Sequence, residues 1–172
     1  DVYKRQVWHM NEGHAAFLPL ELIREQVDQG LPFPAAREAV AASVVFTTHT
    51  PVAAGHDAFA PERVLHHFGA WPNRLSLSPE EFLRLGRLHG QGDFNMTTLA
   101  LTLSRHQNGV SRIHGRVSAE ICAEAWPELA PADSPIGYVT NGVHAPTFLF
   151  QAWKDVFDQD LGDDWRRRLT EV

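Results

Sequence analysis

The sequence predicts an α/β fold, a Rossmann-like, mainly parallel sheet flanked by helices, and three observations carry that prediction. Short apolar segments, "QVWHM" (6–10), "SVVFTT" (43–48) and the start of "IGYVTNGVHAP" (136–146), alternate with longer stretches of helical period. Each runs directly into a polar loop, "NEGH", "THT" and "TNGVH" in turn. Hydrophobic residues make up 44% of the 172 positions, ten of them phenylalanines, which is enough to bury a substantial core. Strands alternating with helices are the pattern of a parallel sheet with helical crossovers.

Taken in order, 6–10 reads as a short strand. In "NEGHAAFLPLELIREQVDQG" the residues Ala16, Leu20, Ile23 and Val27 keep helical spacing, and Gln29-Gly30-Leu31-Pro32 stops the helix. A second helix, "PAAREAVAA" (34–42), leads into the second strand and the loop "HTPVAAGHD". "PERVLHHFG" is helical, "AWPNRLSL" is a loop, and "SPEEFLRLGRLHG" is a helix opened by a Ser78/Glu81 capping box ahead of Phe82, Leu85 and Leu88. "DFNMTTLALTLSRHQ" is predicted as one helix with an apolar face of Met96, Leu99 and Leu103. "NGVSRI" then reads as a turn into a short buried strand, and "HGRVSAEICAEAW" as helix again. After "PELAPADSP" come the last strand and a helix beginning in "TFLFQAWKDVF", while the opening "DVYKR" does not join naturally to the strand behind it.

A formal net charge of −6 supplies no basic field and argues against general nucleic-acid or membrane-surface binding. Cys122 is the single cysteine, so no internal disulfide forms, and its setting in "RVSAEICAEAW" is that of an inert helix residue. No run approaches the roughly 18 apolar residues of a membrane helix and no signal-peptide pattern is present, so the expected setting is cytoplasmic. Two lysines, Lys4 and Lys154, stand against thirteen arginines and leave lysine chemistry few candidates.

Open parallel sheets bind ligands beyond the carboxyl ends of their strands, where the polar loops fall. Glu12 and His14 carry the groups of an acid/base pair; on the other reading Asn11 caps the helix and Glu12 favours its positive end. His49 between Thr48 and Thr50 offers the mixed donors and acceptors that sugar hydroxyls demand, or is a structural histidine closing a strand. Asn141 beside Gly142 offers an amide that bonds a hydroxyl in both directions, or is an Asn-Gly turn and nothing more. A metal site would need His9 to meet His14, or His49 to meet His56. Neither H-E-x-x-H spacing nor a cysteine partner supports one, and none is assigned. His66, His67, His89 and His106 fall on helical stretches and receive no role. Without G-x-G-x-x-G, a phosphate-cradling loop with lysine, or G-x-S-x-G, the dinucleotide, NTPase and serine-hydrolase classes drop out in their standard forms.

Four blocks in this order, "HMNEGHAAFLPLELIRE", "FTTHTPVAAGHDAF", "FNMTTLALTLSRHQNGVSRIHG" and "VTNGVHAPTFL", resemble the α-glucan phosphorylases, the glycogen and maltodextrin phosphorylase family, in its shorter bacterial branch. The likeness runs from Val7 to about Leu149. It implies a two-lobed glycosyltransferase in which 6–145 is the later part of the N-terminal glucan-binding lobe. Residues 146–172 would begin the crossing into the second, cofactor-carrying lobe, with 1–5 a non-native junction. The implied reaction cleaves α-1,4-glucosidic bonds of a glucan or maltooligosaccharide with inorganic phosphate, releasing glucose 1-phosphate.

Carried over by position, His49 matches the catalytic histidine that hydrogen-bonds the transferred glucosyl unit and brings its carbonyl near the anomeric carbon. Asn141 matches the asparagine holding a sugar hydroxyl, with Thr140 and Gly142 its neighbours in the site. Glu12 and His14 match positions of a loop lining the same cleft, in a supporting substrate-binding role, although the long-branch enzymes carry aspartate at the position of Glu12. Phe148 stands where the family commonly has a tryptophan packing near the cofactor, so the aromatic contact is kept and the indole donor is lost. The family's pyridoxal phosphate is held by a lysine within E-x-S-G-T-G-N-M-K in the second lobe, and nothing in this chain matches that segment. Neither Lys4 nor Lys154 suits as anchor. The resemblance thus implies the sugar-gripping half of a phosphorylase site in an internal piece of the enzyme, inactive alone. A stand-alone carbohydrate-binding module is the alternative, and a metal-dependent hydrolase a more distant one.

Overall fold

Four parallel strands organise the chain, in the spatial order in which they occur in sequence. The computed structural model describes residues 7–162 and 164–168; the expected junction at 1–5, with Lys4, lies outside the described residues. These residues divide into two compact units, up to Thr140 and from Asn141 onward.

In the first unit β1 (Trp8–Asn11) is followed by α1 (Leu18–Asp28), α2 (Phe33–Ala41) and β2 (Val44–Thr47). Next come β3 (Ala58–Phe59), α3 (Pro61–Phe68), α4 (Trp71–Arg74), α5 (Pro79–Arg84), β4 (Phe94–Asn95) and α6 (Met96–Thr102). The unit closes with β5 (His106–Gly109), α7 (Arg112–Ile121) and β6 (Ile136–Tyr138). Strands β1, β2, β5 and β6 form the parallel sheet, and β3 pairs antiparallel with β4 in a separate ribbon. The expected α/β class with a parallel sheet is the observed one. The strand order advances one way throughout, so no reversal and no switch-point crevice occurs among the described strands.

Register assigns the two faces of this sheet. Trp8 pairs with Val44, Met10 with Phe46, Phe46 with Gln107 and Gln107 with Ile136, which sets these residues on one face. Met10, Val44 and Phe46 are almost wholly buried there, in one core with Leu20 and Ile23 of α1, Val40 of α2 and Leu99 of α6. Full burial of such a side chain contributes about 1.5–3 kcal/mol. The opposite face carries His9, Asn11, Val45, Thr47, His106, Asn108 and Gly137, of which only Thr47 is buried. Helix α7 lies close on the covered side, since a Cβ on Gly109 would fall 2.9 Å from the Gly115 backbone nitrogen, and one on Gly115 would fall 3.0 Å from the Gly137 carbonyl oxygen.

The helix starts follow their predicted chemistry. Ser78 and Glu81 form the expected reciprocal capping box on α5. Asn95 caps α6 through a bond from the Thr98 backbone N–H. Four expectations need correction. The helix expected over "SPEEFLRLGRLHG" ends at Arg84, so Leu85 and Leu88 fall beyond it. "AWPNRLSL" contains the helical turn α4, entered through Pro72, rather than being loop throughout. The helix expected over "DFNMTTLALTLSRHQ" covers only Met96–Thr102, because Phe94–Asn95 pairs with β3 and the Thr102 and Ser104 hydroxyls bond back to the Thr98 and Ala100 carbonyls at its end. The buried strand expected in "NGVSRI" is His106–Gly109 instead, which takes His106 off a helix. Backbone pairing to β2 on one side and β6 on the other overrides the poor strand propensity of His-Gln-Asn-Gly. Ser111 then caps α7 by accepting from the His114 backbone N–H.

The second unit holds α8 (Ala145–Phe148), α9 (Gln151–Leu161) and α10 (Trp165–Arg168). Phe157 packs edge-on against buried Trp165 at 5.2 Å between ring centres. Trp165 Nε1 and the Arg166 guanidinium both donate to Asp158, and Gly162 turns the chain between α9 and α10 at φ 78°. Among the described residues no helix is long and apolar enough to cross a membrane.

Candidate functional site

Two adjacent strand ends build the most heavily bonded polar cluster of the first unit. β1 ends at Asn11, and the chain turns at Glu12 with φ 81° and ψ 164°, a region that is essentially glycine-only and costs on the order of 1–3 kcal/mol for other residues. The Glu12 N–H still donates to the Thr47 carbonyl at 2.8 Å, so the turn begins in register with β2. Gly13 is buried against α6, where a Cβ would meet Thr97 Oγ1 at 3.3 Å. The tight turn Gly13–Ala15 leaves His14 exposed.

The strained backbone points the Glu12 carboxylate into the loop after β2. Oε1 accepts from the Gly13 N–H at 2.9 Å and, at a longer 3.4 Å, from the Thr48 hydroxyl. Oε2 accepts from the His49 N–H at 2.7 Å and from the Thr50 hydroxyl at 3.0 Å. Partial burial pushes the acid toward its neutral form, but the donors from His49, Gly13 and Thr50 and the nearby His56 outweigh that and hold its pKa below the ordinary value of 4.5. Glu12 is therefore a carboxylate at neutral pH.

His49 itself is exposed. Its Nε2 meets Asn11 Oδ1 at 2.5 Å; with that oxygen as acceptor, Nε2 carries the proton and Nδ1 is left as an acceptor. Thr50 N–H bonds the Thr48 hydroxyl at 3.4 Å. No donor among the described residues reaches the His49 carbonyl oxygen. A second chain of bonds crosses the uncovered sheet face beside this loop: His9 Nε2 to the Thr47 hydroxyl at 2.7 Å, and that hydroxyl to Asn108 Oδ1 at 3.0 Å.

Beneath the loop, His56 Nδ1 bonds the Thr97 hydroxyl, and burial lowers the His56 pKa below 6.5 even though Glu12 and Asp57 raise it. Burial, and secondarily the charge on Glu12, raises the Cys122 thiol to about 11, which leaves it a protonated, inert side chain. His114 Nδ1 accepts from the Val110 N–H at 3.2 Å. Among the described residues no group of three or more His, Cys, Asp or Glu is placed to hold a metal ion.

Of the residues singled out in the sequence, Glu12 and His49 are in direct contact, and His14 stands two positions along the same turn facing solvent. Thr140 is exposed beyond the edge strand β6, two strands away from β2. Asn141 and Gly142 open the second unit, exposed, and Phe148 in α8 is 80% exposed. Asn11 does not cap a helix as one reading allowed. It ends β1 and anchors the His49 ring, while the Glu12 side chain caps the turn at Gly13. The signal for Asn11 was available, because the Trp8-His9-Met10-Asn11 alternation sets His9 and Asn11 on one polar face. A cavity of about 730 Å³ lies elsewhere, between α7 and the segment 131–138. Its polar lining is mostly the exposed Arg112, Arg116 and Glu120, and nothing in it adjoins the His49 loop.

No family model matches the chain. Among curated proteins it is 45% identical over 166 residues to a glycogen phosphorylase of Mycobacterium tuberculosis, covering 92% of this chain and 19% of that protein. It is 38% identical over 161 residues to a maltodextrin phosphorylase of Thermococcus litoralis, covering 93% and 19%, and 29% identical over 160 residues to a glycogen phosphorylase of Aquifex aeolicus, covering 92% and 23%. The chain thus spans about a fifth of the length of the curated relatives it matches.

Proposed function

Because the chain belongs to the glycogen and maltodextrin phosphorylase family, we propose that it forms part of an α-glucan phosphorylase, and that it supplies the sugar-holding side of the site. The reaction would transfer a glucosyl unit from an α-1,4-glucan or maltooligosaccharide to inorganic phosphate. The bond between the anomeric carbon and the glycosidic oxygen breaks, a phosphate oxygen bonds that carbon, and the departing glycosidic oxygen takes up the proton that the phosphate gives up, leaving as a glucan hydroxyl. In this reading 6–145 belongs to the glucan-binding lobe and 146–172 to the crossing into the cofactor lobe, in a cytoplasmic enzyme.

The observation that carries the proposal is the loop Thr48-His49-Thr50, fixed at the end of β2 inside a stretch 45% identical to a glycogen phosphorylase. The transferred sugar acquires oxocarbenium-like positive character, and an oriented carbonyl oxygen stabilises it without reorganisation. The His49 carbonyl, unengaged among the described residues, suits that part, and the His49 Nδ1 acceptor suits a sugar hydroxyl. Asn141, with Thr140 and Gly142, would hold a further hydroxyl, and His14 would line the cleft.

Pyridoxal phosphate, which the family implies, would supply the acid–base chemistry of its phosphate to the reaction. The residues present do not fit as its anchor: Lys154, the lysine among the described residues, lies on α9, and nothing around it in sequence matches the family's lysine segment. Exposed Phe148 is offered only as an aromatic neighbour to it.

The test is His49→Ala in a phosphorylase carrying this segment. Glucose 1-phosphate formation is expected to fall by about 10-fold or more, the scale of losing the imidazole's hydrogen bond to a sugar hydroxyl, since alanine keeps the backbone carbonyl. Unchanged turnover would overturn the role of His49. Steady glucose 1-phosphate release by the 172-residue chain alone, given maltooligosaccharide, phosphate and pyridoxal phosphate, would overturn the proposal that this chain holds only one side of the site.

A further inference from the structure

We infer that Glu12 is a positioning residue that aims the His49 carbonyl, and that it neither binds sugar nor moves a proton; the inference rests on the role proposed for His49. Two peptide planes flank His49. The plane between Thr48 and His49 is fixed by the bond from the His49 N–H to Glu12 Oε2 at 2.7 Å. The plane between His49 and Thr50, which contains the His49 carbonyl, is fixed through the Thr50 N–H to the Thr48 hydroxyl at 3.4 Å, and that hydroxyl in turn donates to Glu12 Oε1. The Thr50 hydroxyl adds a third tie to Oε2. Both planes therefore answer to one carboxylate.

That carboxylate has no capacity to spare. An ionised carboxylate offers about four lone-pair positions, and the protein fills them with Gly13 N–H, Thr48 hydroxyl, His49 N–H and Thr50 hydroxyl. A sugar hydroxyl would have to displace one of these, and a proton arriving on either oxygen would face a donor already in place. The backbone gives an independent sign. Glu12 sits at φ 81° and ψ 164°, a conformation that only glycine adopts without strain, and such strain at a non-glycine residue marks a site where the side chain is required. A glycine at position 12 would relax the turn, yet it would leave the His49 N–H and the two threonines without their common acceptor.

The chemistry of substitution is equally specific. In Glu12→Gln the amide nitrogen replaces one oxygen and confronts either the Gly13 or the His49 N–H, donor against donor. Glu12→Gly removes the clamp and the strain together, so the fold is retained while the loop is released. An error of about 1 Å in the placement of a reacting contact costs about 100-fold in rate.

Two measurements test this. In the 172-residue chain, the amide resonances of Gly13 and His49 are expected to titrate together, following the Glu12 carboxyl, and to lose that titration in Glu12→Gln; amides that stay still as the acid titrates would refute the clamp whatever the function of the chain. In a phosphorylase carrying the segment, Glu12→Gln and Glu12→Gly are both expected to lower kcat about 100-fold, with the KM for glucan and the shape of the pH–rate profile unchanged. A rise in KM at unchanged kcat would make Glu12 a sugar ligand, and a displaced limb of the pH profile would make it a proton carrier; either result overturns the inference. Failure of the function proposed above is separately visible, since the amide titration would persist while His49→Ala left turnover intact.

Discussion

Replacing Gly109 with alanine tests how closely α7 must approach the sheet. Gly109 is absent from the glycines with positive φ, so alanine meets no backbone penalty there and any cost is steric. The added Cβ would lie 2.7 Å from His114 Nδ1, 2.9 Å from the Gly115 nitrogen and 3.1 Å from the Gly115 Cα. Two of these neighbours are main chain, so α7 must withdraw by about half an ångström to restore ordinary contact. Overpacking of this kind costs about 1–3 kcal/mol. Displacing His114 from the Val110 N–H adds about 1 kcal/mol for the lost hydrogen bond. The total, about 2–4 kcal/mol, is a large part of the 5–15 kcal/mol that typically holds a domain together. Urea unfolding followed by circular dichroism measures it, with Gly137→Ala as the control, because a Cβ at Gly137 meets only the Gln107 carbonyl at 3.8 Å. A Gly109→Ala cost below about 0.5 kcal/mol, or one no greater than that of Gly137→Ala, would refute the close-approach argument.

Two further outcomes follow from the polar groups around Glu12. The folded pKa values of His56 and Glu12 are both depressed, so the unfolded chain binds more protons than the folded one below each group's ordinary value. Stability is expected to decline as pH falls below 6.5, where His56 resists charging, and again below 4.5, where Glu12 resists neutralisation. Urea midpoints from neutral pH to about pH 3 should show both declines, and Glu12→Gln should shrink the lower one, to which Glu21, Glu81 and Asp158, also held below their ordinary values, contribute; a lower limb that persists unchanged in that variant would place the titration elsewhere. Cys122, with its thiol raised to about 11 by burial, is expected to react with a thiol reagent only after urea is added, and rapid labelling of the folded chain would contradict its buried position.

The fold class was legible because period-2 and period-3.6 segments alternate cleanly, and Ser78 with Glu81 announced α5 by side-chain chemistry alone. His106–Gly109 was not legible, since nothing in His-Gln-Asn-Gly favours a strand and its conformation comes from partners far along the chain in β2 and β6. At the site, the loop after β2 stood out through its threonines and His49. The wiring did not, because Glu12 reaches that loop across 37 residues of sequence only after an unusual backbone turn, and no local pattern encodes a positive φ at a glutamate. His49 and Asn141 belong to two different units, and the roles proposed for them rest on family kinship.

The strand order bears on how such a sheet is made. In a doubly wound sheet the first strand ends up inside and must await neighbours on both edges, whereas here each new strand docks on the edge left by the one before. A ribosome delivers the chain from its N-terminus at about 5–20 residues per second. β1 and β2 can therefore pair, and α1 and α2 cover them, before β5 has been translated, and β5 is in place before β6 arrives. Growth from one edge requires none of these four strands to be inserted between others, and the Glu12 clamp, which joins the ends of β1 and β2, is expected to form before β5 docks.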